Sequence, residues 1–283
     1  MALVVFGLKA QFPLKTLLKF SQLARSTYYA IIRSLNKADK YSEMKIKIRY
    51  ICESHFGRYG YRRVTAEMHK QGININHKVV MRLMKQEGLT SKVRLKKYRS
   101  YKGQHGKIAP NIVQRNFCAV KPNQKWTTDI TEFSLFGTKL YLSPILDMFN
   151  GEIISYELSK APSLQQVINM MEKAFTKVKT TKGIIFHSDQ GWQYQHSYYQ
   201  QTLKNHGIIQ SMSRKGNCLD NSVMENFFGL LKSELLHLQN FQSIEDFEKK
   251  LHEYIYYYNN KRIKLKLKGM SPVEYRTHSE LVA

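Results

Sequence analysis

Residues 183–189 read Gly-Ile-Ile-Phe-His-Ser-Asp. A short apolar run bounded by a glycine and ending on an acid reads as a buried strand that delivers Asp189 at its end. The neighbouring elements follow outward from it. Upstream, Ser163-Leu-Gln-Gln166 is a capping box that opens a helix running to about Val178. Before that, Lys125–Phe133 alternates, Leu140–Leu146 is mostly apolar, and Asn150-Gly151 is a hairpin signal ahead of Glu152–Leu158, which predicts three antiparallel strands. Downstream come a helix near Ser197–Asn205, a short strand at Ile208–Met212 and a long helix from Asn221. Three strands, helix, strand, helix, strand, helix describes a mixed α/β domain, and periodicity alone goes no further.

The chain ahead of this domain is different. Leu14–Phe20, a break at Ser21 and a second stretch from Ser26 suggest a helix-turn-helix. Helices are predicted from about Glu43 to Cys52, from Tyr61 to Lys70, and from an Asn76 N-cap to a Gly88 C-cap. Three helices of this length make a minimal DNA-binding module. Ser91–Asn111 holds seven Lys or Arg, with Tyr98 and Tyr101 among them, and reads as a basic linker whose tyrosines could lie on sugar or base.

Net charge is +24, far beyond what solubility requires, and it is concentrated in one place. Residues 1–119 carry 25 Lys and Arg against 5 Asp and Glu, whereas residues 120–283 carry 20 against 16. The N-terminal part is therefore an electrostatic grip for a polyanion, and the interleaved aromatics favour nucleic acid over a membrane surface. No run approaches the roughly 18 apolar residues of a membrane span. The apolar start, Met1–Leu8, has neither a basic segment before it nor a small-residue cleavage site after it. Cys52, Cys118 and Cys218 lack zinc-ligand spacing and are expected to be free thiols in a reducing cytoplasm.

Three carboxylates can be brought together by such a sheet: Asp129 in the middle of the first strand, Asp189 at the end of the fourth, and Glu225 in the first turn of the long helix. Clustered carboxylates repel one another unless a cation sits between them. Oxygen-only ligands favour Mg²⁺ or Mn²⁺, and two such ions roughly 3.5–4 Å apart can serve both sides of an in-line displacement at phosphorus. Each acid also has a plainer reading. Ser222-Val-Met-Glu225 fits a capping box, Asp189 could start a turn, and only Asp129 is poor strand chemistry. Asp147, which also follows an apolar strand, reads as structural. On the helix, Glu225, Gly229 and Lys232 fall within about 60° of one another, opposite Met224, Phe227, Phe228, Leu231 and Leu235. A bare glycine between an acid and a lysine lets a DNA backbone come close, which a cap alone does not explain.

Several motifs together resemble those of bacterial insertion-sequence transposases. Tyr59-Gly-Tyr-Arg-Arg-Val64, Asn76–Met84 and Glu87-Gly-Leu89 resemble the helical region. Trp126-Thr-Thr-Asp129, His187-Ser-Asp-Gln-Gly191 with Tyr194, and Ser211–Cys218 leading to Asp220-Asn221, Glu225, Phe228 and Leu231-Lys-Ser-Glu234 resemble the three acid blocks. Thirty-five residues separate Asp189 from Glu225, and Tyr258-Asn-Asn260, Arg262, Gly269-Met-Ser-Pro272 and Glu274-Tyr275 resemble the tail. The chain is thereby similar to second-reading-frame products of the IS-three group, within the retroviral-integrase-like DDE superfamily. Lys264 departs from the pattern, standing where many relatives carry His.

The resemblance implies an α/β ribonuclease-H-like (integrase catalytic core) domain preceded by a small all-α helix-turn-helix-like domain. The expected layout is a helical DNA-binding region over 1–90, a basic linker over 91–120, the core over 121–240 and a helical tail over 241–283. It implies a DNA transposase in which Asp129, Asp189 and Glu225 hold two Mg²⁺ (or Mn²⁺) ions and Lys232 holds transposon-end DNA near the scissile phosphate. Arg214, Lys215 and Asn217 in the loop before the catalytic helix, and Arg62, Arg63, Lys78 and Arg82 in the helical region, are the expected DNA contacts. His187 orients Asp189, touches DNA or simply packs. Expected partners are transposon-end and target DNA, the first-reading-frame product and further copies of the chain on DNA, in the cytoplasm.

Overall fold

The computed structural model describes residues 1–35, 39–91 and 108–282. Most of the basic linker, with Tyr98 and Tyr101, lies outside the described residues. The chain divides into two compact units, 1–50 and 51–283, so the helical region expected to run from 1 to 90 is split. In the first unit α1 (Ala2–Leu8), α2 (Leu14–Phe20) and α3 (Arg25–Leu35) enclose Ala2, Val5, Leu18 and Tyr28. The apolar start of the chain is thus a helix with one buried side. α4 (Ser42–Ser54) spans the division.

The second unit begins with α5 (Tyr61–Lys70) and α6 (His77–Gln86). Asn76 caps α6 by accepting from the Lys78 amide, and Gly88 leaves it at φ +68°, as the sequence predicts. The six-stranded sheet comprises β1 (Lys125–Thr128), β2 (Thr131–Leu135), β3 (Thr138–Asp147), β4 (Ile153–Ser159), β5 (Ile185–Ser188) and β6 (Ile209–Met212). β1 and β2 lie along the same edge of β3 in one register, Thr128 opposite Ile145 and Thr131 opposite Leu142. The strand predicted over Lys125–Phe133 is therefore continuous in direction but interrupted at Asp129-Ile130. β4 pairs antiparallel with the other edge of β3, while β5 and β6 run parallel to β1. Three antiparallel strands followed by two parallel ones give the ribonuclease-H-like order.

Alternation along the strands builds two cores. Leu140, Leu142 and Leu146 face one side with Met224, Phe227, Phe228 and Leu231 of α10 (Ser222–Leu231) and Phe247, Leu251 and Tyr254 of α11 (Ile244–Asn260). Trp126, Ile145 and Phe186 face the other side with α7 (Leu164–Phe175), the short α8 (Trp192–Gln195) and α9 (Ser197–Asn205). Past α10 the helix underwinds into a π-helical turn, Lys232–Leu236, in place of the uninterrupted helix read from the sequence. α12 (Pro272–Val282) ends the described chain, and a capping box forms at its start in both directions: the Ser271 amide donates to Glu274 Oε2 at 2.8 Å and the Glu274 amide to Ser271 Oγ at 3.3 Å.

Residues 108–120 are not a free tether. The Ile112 and Val113 amides donate to Ser211 Oγ, and the Met212 amide donates to the Pro110 carbonyl, which lays this segment along β6.

Candidate active site

Asp129 and Asp189 meet because of parallel register. Thr127 of β1 pairs with His187 of β5, so two residues further on each strand the acids emerge side by side at the carboxyl ends of the strands. That edge is the usual place for ligands in open α/β sheets. Each carboxylate is pinned by its Oδ1: Asp129 accepts from the Ile130 amide at 2.7 Å and Asp189 from the Gly191 amide at 2.8 Å. They line a small cleft of about 180 Å³ with Glu132, Tyr141, Pro162 and Tyr194. Burial raises the Asp129 carboxyl well above the usual carboxylate range, and repulsion from Asp189 and, to a lesser degree, Glu225 adds to it, while Lys232 opposes. Asp189 is raised as well, by burial. The Tyr194 hydroxyl is kept protonated by burial and by the same two carboxylates.

Glu225 sits in the first turn of α10, exposed, outside the cleft lining but close enough to act on Asp129. The capping-box reading of Glu225 does not hold. Asn221 is the N-cap residue and makes no side-chain cap bond, and Ser222 is already helical. A 3-10 turn, Cys218–Asn221, fixes this start, and Asn221 Oδ1 instead accepts from Thr127 Oγ1 at 2.9 Å, tying the helix to β1. The inward face of α10 is as expected: Met224, Phe227, Phe228, Leu231 and Leu235 are buried. A Cβ added to Gly229 would meet nothing within 4 Å, so the space directly over Gly229 is open. Lys232 Nζ lies 5.6 Å from the centre of the Phe133 ring and pulls on Asp129.

Among the described residues no three His, Cys, Asp or Glu side chains converge tightly enough to close on an ion by themselves. The donor set nonetheless fits a divalent cation. Two carboxylates disfavour their charged forms jointly, and the second oxygen of each makes no hydrogen bond among the described residues. A hard cation relieves both conditions.

His187 is fully enclosed, so it has no face for DNA. Its Nε2 donates to the Asp220 carbonyl at 3.0 Å, and its Nδ1 then accepts from Ser211 Oγ at 2.9 Å. Burial lowers its pKa and keeps the ring neutral. It joins β5, β6 and the turn before α10, which is the packing alternative. Asp220, noted in the sequence only as part of a motif, organises the loop. Its buried carboxylate accepts from Arg214 Nε and Nη2, both at 2.9 Å, from the Arg214 amide at 3.0 Å, from Arg115 Nε at 2.9 Å and from Asn111 Nδ2 at 3.0 Å. Arg214 is thus committed to an ion pair, and Asn217 Oδ1 accepts from Arg115 at 3.1 Å, whereas Lys215 is exposed. In the helical region Arg62, Lys78 and Arg82 are exposed, but Arg63 is half-buried against the Tyr59 ring, 3.9 Å from Glu234. Asp147 is structural as read: its carboxylate accepts from the Asn123 and Phe149 amides at the β3–β4 turn.

The Integrase core domain family matches residues 119–218 and again 225–279, and the HTH-like domain family matches 39–97. A protein of Escherichia coli K12 designated as the transposase InsK for insertion sequence element IS150 is 51% identical over 276 residues, covering 98% of both chains. The transposase InsF for insertion sequence IS3A of the same organism is 30% identical over 273 residues, covering 94% of this chain and 95% of that one. Among solved structures, the HTLV-2 integrase catalytic core domain in complex with magnesium aligns at 18% identity with a TM-score of 0.44, over 56% of this chain and 98% of that one. With matched motifs, an integrase core and a relative aligned nearly end to end, the chain belongs to the insertion-sequence transposases that carry an integrase core domain preceded by an HTH-like domain.

Proposed function

We propose that the chain cleaves and joins DNA strands by metal-dependent phosphoryl transfer, with Asp129, Asp189 and Glu225 as the catalytic carboxylates. The observation that carries this is the pair Asp129/Asp189 at adjacent parallel strand ends, both raised by burial, with Asp189 and Glu225 in electrostatic reach of Asp129. Asp129 and Asp189 would hold the shared metal position, and Glu225 would complete the set. Two Mg²⁺ or Mn²⁺ ions bound there would activate the attacking oxygen and stabilise the leaving one.

The chain's own residues do the rest. The Ile130 and Gly191 amides each hold one oxygen of the two aspartates and leave the other for a cation. Lys232 supplies a cation on the same helix face as Glu225 and holds the strand end. Gly229 leaves room for the DNA backbone between them. In the first reaction water attacks phosphorus at the element's end, the bond to the departing 3′ oxygen breaks, and a 3′-OH is released. In the second, that 3′-OH attacks another phosphodiester and expels its 3′ oxygen. Protein side chains form no covalent intermediate.

Arg62, Lys78, Arg82 and Lys215 are exposed cations that would meet phosphate. Transposon-end and target DNA, further copies of the chain and the first-reading-frame product are the proposed partners, in the bacterial cytoplasm; no described helix is long and apolar enough to cross a membrane. Asp189→Asn and Glu225→Gln are expected to abolish Mg²⁺-dependent cleavage and the joining of pre-cut ends while leaving DNA binding intact. Mg²⁺-dependent cleavage by Asp189→Asn would refute the assignment, and cleavage without joining by the unaltered protein would leave a nuclease.

A further inference from the structure

Nine residues beyond Glu225, the Glu234 carboxylate is buried in a cluster that the proposed chemistry does not use. Arg262 Nε donates to Oε2 at 2.8 Å and Arg262 Nη2 to Oε1 at 2.6 Å, while the Tyr254 hydroxyl donates to Oε2 at 3.0 Å. The Arg262 side chain is 1% exposed and that of Glu234 9%. A third group grips the main chain of the same residue: Arg58 Nε donates to the Glu234 carbonyl at 3.1 Å. The Arg58 guanidinium lies 4.6–5.2 Å from the Phe56, Tyr254 and Tyr257 ring centres, which hold its plane. Arg58 precedes α5, so this grip comes from the HTH-like part of the chain.

The cluster sits at an irregular point of the catalytic helix. α10 ends at Leu231, and the next turn, Lys232–Leu236, is π-helical, with the His237 amide donating to the Lys232 carbonyl at 3.0 Å. Such turns are rare and occur frequently at functional sites. Within this π-helical turn two residues lie roughly half a turn apart. Lys232, which acts on Asp129, and Glu234, which is buried, therefore point to opposite sides, and anchoring one constrains the other. A planar guanidinium on a buried carboxylate specifies geometry more than it adds stability.

We propose that Glu234, clamped by Arg262 through its carboxylate and by Arg58 through its carbonyl, is a positioning residue that sets Lys232 against the Asp129/Asp189 cleft. The proposal rests on the assignment of those acids and Lys232 to catalysis. It makes full activity depend on docking of the Arg58 segment, and it gives that part of the HTH-like domain a role besides contact with DNA.

The test is a double-mutant cycle on the full chain, in single-turnover cleavage of end DNA with Mg²⁺ at saturating protein. Glu234→Gln keeps the shape and removes the charge, and its rate is expected to fall roughly 10- to 100-fold, as for a small misplacement of a catalytic group, with DNA affinity within about twofold. If Glu234 acts through Lys232, Lys232→Ala and the double variant show the same rate. Arg58→Gln, which leaves the Glu234–Arg262 pair in place, serves if Glu234→Gln does not fold, with the same non-additivity expected. Glu152→Gln breaks a different ion pair, with Arg276, far along the chain from this turn, and is expected to cleave like the unaltered protein. Multiplicative losses in the cycle, or an unaltered rate in folded Glu234→Gln, overturn the proposal. Asp189→Asn run in parallel separates the two claims, because its activity would sink the catalytic assignment itself.

Discussion

Replacing Gly229 by alanine should make the protein more stable and less active. Gly229 lies inside α10, and a Cβ placed on it meets no atom within 4 Å, so the methyl brings no clash. Glycine in a helix interior costs roughly 0.5–1 kcal/mol relative to alanine, and that amount should be regained. In a unit of this size each kcal/mol moves Tm by about 2–4 °C, so the melting temperature should rise by about 1–4 °C. The same methyl stands on the face shared by Glu225 and Lys232, where the proposed function brings the DNA backbone. Shifting a phosphate by about 1 Å costs up to roughly 100-fold in rate, so single-turnover cleavage should drop by a factor in that range. Both quantities can be read on one preparation, by thermal unfolding without DNA and by cleavage of a labelled end. A lower Tm would mean that the open space over the glycine is misjudged. A higher Tm with an unaltered rate would refute the idea that glycine is there to admit DNA.

Two pH-dependent predictions test the surroundings of the site. The Arg214 guanidinium holds the Asp220 carboxyl well below the usual carboxylate range despite burial, so its contribution is present above the unfolded value near pH 4 and lost as pH falls below it. Because Arg214 and Arg115 are themselves substantially exposed, Asp220→Asn should cost only about 1 kcal/mol at pH 7 and should shrink the acid-induced loss of stability, measured by urea unfolding between about pH 3 and 7; equal acid slopes in both proteins would contradict it. Lys264 donates to the Asn150 and Gly151 carbonyls and the Tyr258 hydroxyl, and burial, aided by Arg262 and Arg63, pushes its ammonium down to about 7. The unfolded chain keeps that proton up to roughly pH 10.4, so stability should climb with pH from about 7 upward, and Lys264→Met should flatten the climb in paired urea titrations. A parallel climb in the variant would show that Lys264 is not its source.

Local chemistry made much of this legible. Asn76 and Ser163 cap helices where the sequence places caps, because a cap is decided within three residues. The apolar side of α10 follows from its 3.6-residue period. What failed involved residues far apart in sequence. Ser222-Val-Met-Glu225 has a capping-box pattern, but the 3-10 turn and the Thr127–Asn221 bond start the helix one residue earlier, which no local pattern records. Arg214 reads as a phosphate contact until Asp220, Arg115 and Asn111 are seen to gather round one buried carboxylate. His187 has three open readings in the sequence, and burial between Ser211 and Asp220 selects one.

The sequence by itself determined the family, the order of strands and helices and the polyanion-binding charge, and it singled out the three acids proposed for catalysis, because these rest on composition, period and motif spacing. Only the tertiary structure decided that Asp129 falls in a break between two segments of one strand, that parallel register sets it beside Asp189, and that Glu234 links Arg58, Tyr254 and Arg262. Those outcomes depend on which segments pair across tens to hundreds of residues. A carboxylate buried with its cation and one exposed to water look the same in sequence, although desolvation gives them different chemistry.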